Sequence, residues 1–154
     1  MLQWLKDELH GGRWLSPAFF LGIAMLFGGM TTASPARAQE LALGDSLALG
    51  FGQASHLPTR AIVGVSSCRI LGMTPAGHFD FVLLSAGTND PPGRCLEAIR
   101  KRLDADRVLW VLPVNGARAH VLAVAAANGD GLLSYTPGRG RVWPHPPRYW
   151  DVRR

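Results

Sequence analysis

The sequence predicts an α/β protein: a three-layer α/β/α sandwich around a parallel sheet of about five strands. Two observations carry that expectation. First, short apolar runs at Glu40–Leu43, Arg60–Val65, Phe79–Ala86, Arg107–Val114 and Leu132–Tyr135 alternate with segments of helical character. Strands alternating with helices wind into a parallel sheet through right-handed crossovers. Second, Phe79–Ala86, FDFVLLSA, is almost continuously apolar, as a strand covered on both faces must be.

Taken in order, Glu40–Leu43 reads as the first buried strand, closed by the turn Gly44-Asp45-Ser46. Residues 47–57 read as a helix that stops before Pro58. Arg60–Val65, RAIVGV, is the second strand by its β-branched content. Arg69–Met73 is a short helical piece broken by Pro75-Ala76-Gly77. After the central strand, Gly87-Thr88-Asn89-Asp90-Pro91-Pro92 forms a loop, and Gly93–Asp104 a helix with Leu96, Ile99 and Leu103 on one face. Arg107–Val114 is the fourth strand, and Ala117–Asn128 an alanine-rich helix closed by Gly129. A short fifth strand at Leu132–Tyr135, a Gly/Pro/Arg loop at Thr136–Arg141 and a terminal segment at Trp143–Trp150 complete the chain. So compact a ladder implies short or missing helices toward the end. The sheet face left thin there would be covered by Trp143 and Trp150, or by a second copy in a homodimer.

Composition narrows the function classes. The 154 residues are 47% hydrophobic and 18% charged, a globular rather than a disordered balance. The net charge of +5 comes mostly from scattered arginines, with clusters only at Arg100-Lys101-Arg102 and Arg153-Arg154. That footprint is too small to suggest a nucleic-acid partner. The amino terminus has the three parts of a secretory signal: Lys6 and Arg13, the apolar run at residues 18–30, and Ser34-Pro35-Ala36-Arg37-Ala38. Cleavage is expected after Ala38, leaving residues 39–154 as the folded part, periplasmic or secreted. The run is shorter than the roughly 20 apolar residues of a spanning helix. Asp7 and Glu8 ahead of it keep an uncleaved anchor open as the alternative, in which case this segment alone meets the membrane. Export makes Cys68 and Cys95 a disulfide candidate bracing the loops after the second and third strands. The alternative is two buried thiols acting as small hydrophobes.

The chemistry concentrates in three places. Ser46 stands on a turn between strand and helix, at the sheet edge where open α/β sheets bind ligands. Helix-start N–H groups there favour negative charge. On its own, Gly-Asp-Ser reads first as a turn in which Asp45 or Ser46 is only a helix N-cap. Asn89 follows the central strand, and His145 lies near the chain end. The three converge on one edge if the sheet is doubly wound. A serine hydroxyl needs a base such as histidine to become a nucleophile, and the oxyanion it generates needs N–H donors. His56, His78 and His120 have no motif partner and read as surface or loop residues.

These blocks resemble those of the SGNH, or GDSL, hydrolases, a superfamily of serine esterases with a flavodoxin-like sandwich. The resemblance is spread over residues 39–154, through brief motifs. Gly44-Asp45-Ser46 matches the block whose serine is the nucleophile, and Gly87-Thr88-Asn89-Asp90 the block whose asparagine helps form the oxyanion hole. His145-Pro146 resembles the block whose histidine is the general base. Arg60–Cys68 sits where the family supplies a backbone N–H to the oxyanion hole; Gly64 and Ser67 are the two candidates, beside the N–H of Ser46 itself.

One position departs. The family places an aspartate three residues before its histidine, where this chain has Val142. Three readings follow: a backbone carbonyl orients His145 in a Ser–His dyad, Asp130 or Asp151 reaches it from elsewhere, or the site is weak or inactive. The resemblance thus implies an exported hydrolase of carboxylic esters, acting on small acyl or O-acetyl groups, some of them on glycans, without metal or organic cofactor. The alternatives are an inactive relative that binds a glycan or protein, and an acyltransferase.

Overall fold

The computed structural model describes residues 39–140 and 144–153. The expected targeting segment and cleavage site, with Val142 and Trp143, lie outside the described residues. Chain order is β1 (Glu40–Gly44), α1 (Ser46–Ala54), β2 (Thr59–Ala61), α2 (Ser67–Met73), β3 (His78–Phe79), β4 (Phe81–Ser85), α3 (Leu96–Arg102), β5 (Asp104–Ala105), β6 (Val108–Val111), α4 (Arg118–Asn128) and β7 (Gly131–Leu133).

Five strands form the main sheet in the order β2-β1-β4-β6-β7, all parallel. One row of register runs Arg60–Leu43–Leu84–Trp110–Leu132. Counting only sheet strands, the order is 2-1-3-4-5, a doubly wound arrangement whose functional edge is the carboxyl one. Alternation along the strands builds two cores. Leu41, Leu43, Val82, Leu84 and Trp110 meet Ile70, Leu96, Ile99, Val121 and Val124 of α2, α3 and α4. On the other face Ala42, Phe81, Leu83 and Val111 meet Leu47 and Phe51 of α1. Each large side chain so buried contributes about 1.5–3 kcal/mol.

Among the described residues the second face has a single helix. The carboxyl-terminal tail takes the place of another: Tyr149 and Val152 pack on this core, and Phe51 makes edge-on ring contacts with Tyr149 at 4.8 Å and Trp150 at 4.9 Å. Coverage is partial. A groove of about 420 Å³ remains at the amino edge, among Phe81, Leu109, Gly131 and Val152.

Several elements are shorter than the sequence suggests. Strand two ends at Ala61 because β1 ends at Gly44: the Ile62 N–H takes the last carbonyl, at 3.0 Å. Beyond it Ile62 and Val63 are exposed despite their β-branched side chains. The run at 79–86 divides at Asp80. His78–Phe79 pairs with Asp104–Ala105 in a separate two-stranded ribbon, and Phe81–Ser85 is the central strand. Gly129 closes α4 in the left-handed conformation at φ +69°.

Cys68 and Cys95 form a disulfide, with Cα atoms 5.0 Å apart. It joins the first turn of α2 to the residue preceding α3. Closing a loop of sequence separation 27 restricts the unfolded chain, stabilising the fold by about 3–4 kcal/mol.

Candidate active site

The turn that presents Ser46 is built by its neighbours. Gly44 has φ +142°, and a Cβ there would fall 1.9 Å from the Ser85 carbonyl oxygen, so no other residue fits. Asp45 is fully buried and caps α1: its Oδ1 accepts from the Leu47 N–H at 3.0 Å and from the Ser85 hydroxyl at 2.7 Å. This ties β1 to β4 and makes Ser46, half-buried, the first residue of the helix.

The Ser46 Oγ lies 3.2 Å from His145 Nε2. His145 belongs to the tail, where its carbonyl accepts the Gly138 N–H at 2.6 Å. Its Nδ1 meets the Tyr149 hydroxyl. The Tyr149 ring lies against Gly50, where a Cβ would come within 2.2 Å of it, and edge-on to Phe51. A single helix therefore carries the serine and seats the ring that holds the histidine. When Nδ1–H donates to the phenol oxygen, Nε2 is left as the acceptor facing Ser46. Burial, reinforced by the negative charge of Asp45, pushes the Tyr149 phenol up to about 12. It stays neutral at physiological pH, so it orients the imidazole without the counter-charge that a carboxylate supplies.

Asn89 stands exposed in the loop after β4. One amide hydrogen goes to the Val65 carbonyl at 3.1 Å, which fixes the amide's orientation and leaves the second hydrogen as a donor. Asn115 braces the same loop from the next one, donating to the Gly87 and Thr88 carbonyls at 3.3 and 2.7 Å. His120 is no idle surface residue. It bonds the Pro92 carbonyl at 3.0 Å and meets Glu97, and these two acceptors raise its pKa, the carboxylate first.

Four candidate residues are placed differently from expectation. Ser67 is buried, and its N–H donates to Asp90 Oδ1 at 2.9 Å while its hydroxyl donates to Oδ2 at 2.5 Å. A carboxylate in the adjoining loop thus occupies the N–H expected at the oxyanion hole. Asp130 precedes β7 at the opposite, amino edge, paired with Arg100 at 2.8 Å and with the Trp110 indole N–H at 2.8 Å. It cannot orient His145. Asp151 accepts from the Arg153 N–H at 2.9 Å, and the Nδ1 of His145 has the phenol instead. Gly64 is an exposed turn residue at φ +73° with open space around it. Of the expected donors, the N–H of Ser46, which no helical carbonyl can reach, and the second hydrogen of the Asn89 amide are left without a protein partner among the described residues.

Tyr149 is the residue that motif reading passed over; its only sequence signal is a hydroxyl four residues after the histidine. Among the described residues no group of three or more His, Cys, Asp or Glu is arranged to hold a metal ion. Comparison with family models, curated proteins and solved structures finds no match to this chain.

Proposed function

We propose that this chain is an exported serine hydrolase of carboxylic esters with small acyl groups, acetyl groups on glycans among them. The observation that carries the reading is the 3.2 Å approach of Ser46 Oγ to His145 Nε2, across 99 residues of sequence. Ser46 Oγ attacks the acyl carbon while His145 takes its proton. The oxyanion is held by the Ser46 N–H and the Asn89 amide. Collapse expels the alcohol, which takes the proton from His145. A water then attacks the acyl-enzyme, again with His145 as base, releasing the acid and restoring Ser46. The Cys68–Cys95 disulfide supports export, since such bonds persist in oxidising compartments.

The test is Ser46→Ala with p-nitrophenyl acetate as substrate and a fluorophosphonate probe. The parent is expected to hydrolyse the ester and to be labelled at Ser46, and the variant to do neither. Equal rates for both chains remove Ser46 from the mechanism. A second reading, a cleft that binds acylated glycans without cleaving them, is favoured by one observation: His145 Nδ1 faces a neutral phenol rather than a carboxylate. Binding of an acetylated glycan by a parent chain that the probe does not label would establish it.

A further inference from the structure

Loops and helix starts at the carboxyl edge carry five arginines, and each stands close in sequence to a residue that builds the site. Arg69 and Arg94 flank the Cys68–Cys95 bridge, whose Cys95 N–H donates to Ser67 Oγ at 3.3 Å. Arg118 opens α4 directly after the turn in which Asn115 braces the Asn89 loop. Arg139 follows Gly138, which bonds the His145 carbonyl. Arg148 lies between His145 and Tyr149. All five are exposed. Among the described residues none of their guanidinium groups has a carboxylate partner or a side-chain hydrogen bond.

The carboxylates at this edge do not neutralise them. Asp45 is buried under the turn, Asp90 holds Ser67, and Glu97 meets His120. The amino edge mixes both signs: among the described residues Lys101, Arg102 and Arg107 have no carboxylate partner there, but most of its carboxylates are matched to cations. There Arg100 holds Asp130, Arg153 reaches Glu40, and His78 sits between Asp104 and Asp106. A rim of one charge sign focuses its field on the cleft and raises the local concentration of oppositely charged ligands. Guanidinium groups suit carboxylate and phosphate oxygens in particular.

We infer that the ester cleaved here carries a negative charge, carboxylate or phosphate, on its alcohol part, held by the arginine rim around Ser46. The inference rests on the esterase reading and gives that site its substrate class. With a small acyl group over Ser46 and Asn89, the alcohol points outward to the rim.

The experiment uses the exported chain and matched acetate esters: 4-acetoxybenzoate, its neutral methyl ester, and 4-acetoxyphenyl phosphate. Each kcat/KM is corrected for the ester's own hydroxide rate. At low ionic strength the anionic esters are expected to be favoured over the neutral one by about tenfold, the lower end of electrostatic steering. The preference should fade by about 0.5 M salt, where the screening length is only a few ångströms. The larger gain of the two anions shows whether carboxylate or phosphate is the matched group. In Arg118→Gln/Arg139→Gln/Arg148→Gln the ratio of anionic to neutral rates should fall to near one. Equal handling of charged and neutral esters by the parent at low salt overturns the inference while leaving the esterase standing. So does a preference that neither salt nor the triple variant changes. Absence of all hydrolysis and of fluorophosphonate labelling removes both the inference and the reading under it.

Discussion

The two edges of the sheet treat their polar groups differently. At the amino edge the carboxylates meet partners: the Asp130 carboxylate is 3% exposed and receives both Arg100 and the Trp110 indole. At the carboxyl edge the groups with chemical potential are left with capacity to spare. Asn89 keeps an amide hydrogen, five guanidinium groups face solvent without carboxylates, and Ser46 meets a histidine braced by a neutral phenol. One edge matches its carboxylates to partners, whereas the other leaves donors and cations facing solvent. Substitutions that separate the two edges test the comparison.

The largest effect is expected at the amino edge. Asp130→Ala strands a largely buried guanidinium and an indole N–H, which should cost about 3–5 kcal/mol of stability. Urea unfolding measures it, and the folded fraction should keep its kcat/KM. Loss of catalysis in molecules that remain folded would mean that Asp130 does reach the site. Next in size is Cys68→Ala/Cys95→Ala, which releases the α2 and α3 starts and should lower stability by about 3–4 kcal/mol. Because Ser67 and Asp90 sit beside the bridge, the same variant should lose protection from hydrogen exchange at the carboxyl edge first. Uniform loss over both edges would contradict the division proposed here.

In the proposed mechanism Asn89→Ala removes one of the two oxyanion donors. In serine enzymes generally this costs about 10²–10³ in turnover. The expected signature is a fall in kcat with little change in KM, and unfolding at the same urea concentration as the parent. A variant with unchanged kcat would take Asn89 out of the oxyanion hole.

Much of this contrast was legible in the sequence, and the rest was not for physical reasons. The β1–turn–α1 unit shows itself because Gly44, Asp45 and Ser46 each have a local requirement to meet: positive-φ backbone, helix cap and helix-start hydroxyl. The central strand shows itself through unbroken apolarity, and α4 through its alanines and closing glycine. The end of β2 does not, since Ile62 and Val63 have strand-forming side chains and only the length of β1 decides that they stay unpaired. Asp130 could have been excluded as an orienting acid from position alone: it precedes a strand, and so belongs to the amino edge. Tyr149 is different. Its place against His145 depends on Gly50 lacking a Cβ on a helix 99 residues earlier, a tertiary fact with no local pattern. The arginine rim is hidden for a similar reason, because residues scattered along the chain meet only when the strand ends do.

The smallest of these effects concerns Tyr149. In Tyr149→Phe the ring still lies over Gly50 and against Phe51, so packing survives, but His145 Nδ1 loses its partner. Imidazole is then free to place its single proton on either nitrogen, and the tautomer with Nε2–H cannot accept from Ser46. The phenol gives orientation and no negative charge, so its loss should cost less than loss of a triad carboxylate, about 10- to 100-fold in kcat, at the lower end of acid–base effects. The phenol's own pKa, pushed up to about 12, predicts a second result. A phenol deprotonating within the assay range would add charge beside His145 and raise activity with pH, so the parent should show no such rise between about pH 8 and pH 10, below the phenol's titration. A merely structural tyrosine would leave kcat intact in the phenylalanine variant. A rise in parent activity at those pH values that the variant lacks would instead make the phenolate, not the phenol, the working partner of His145.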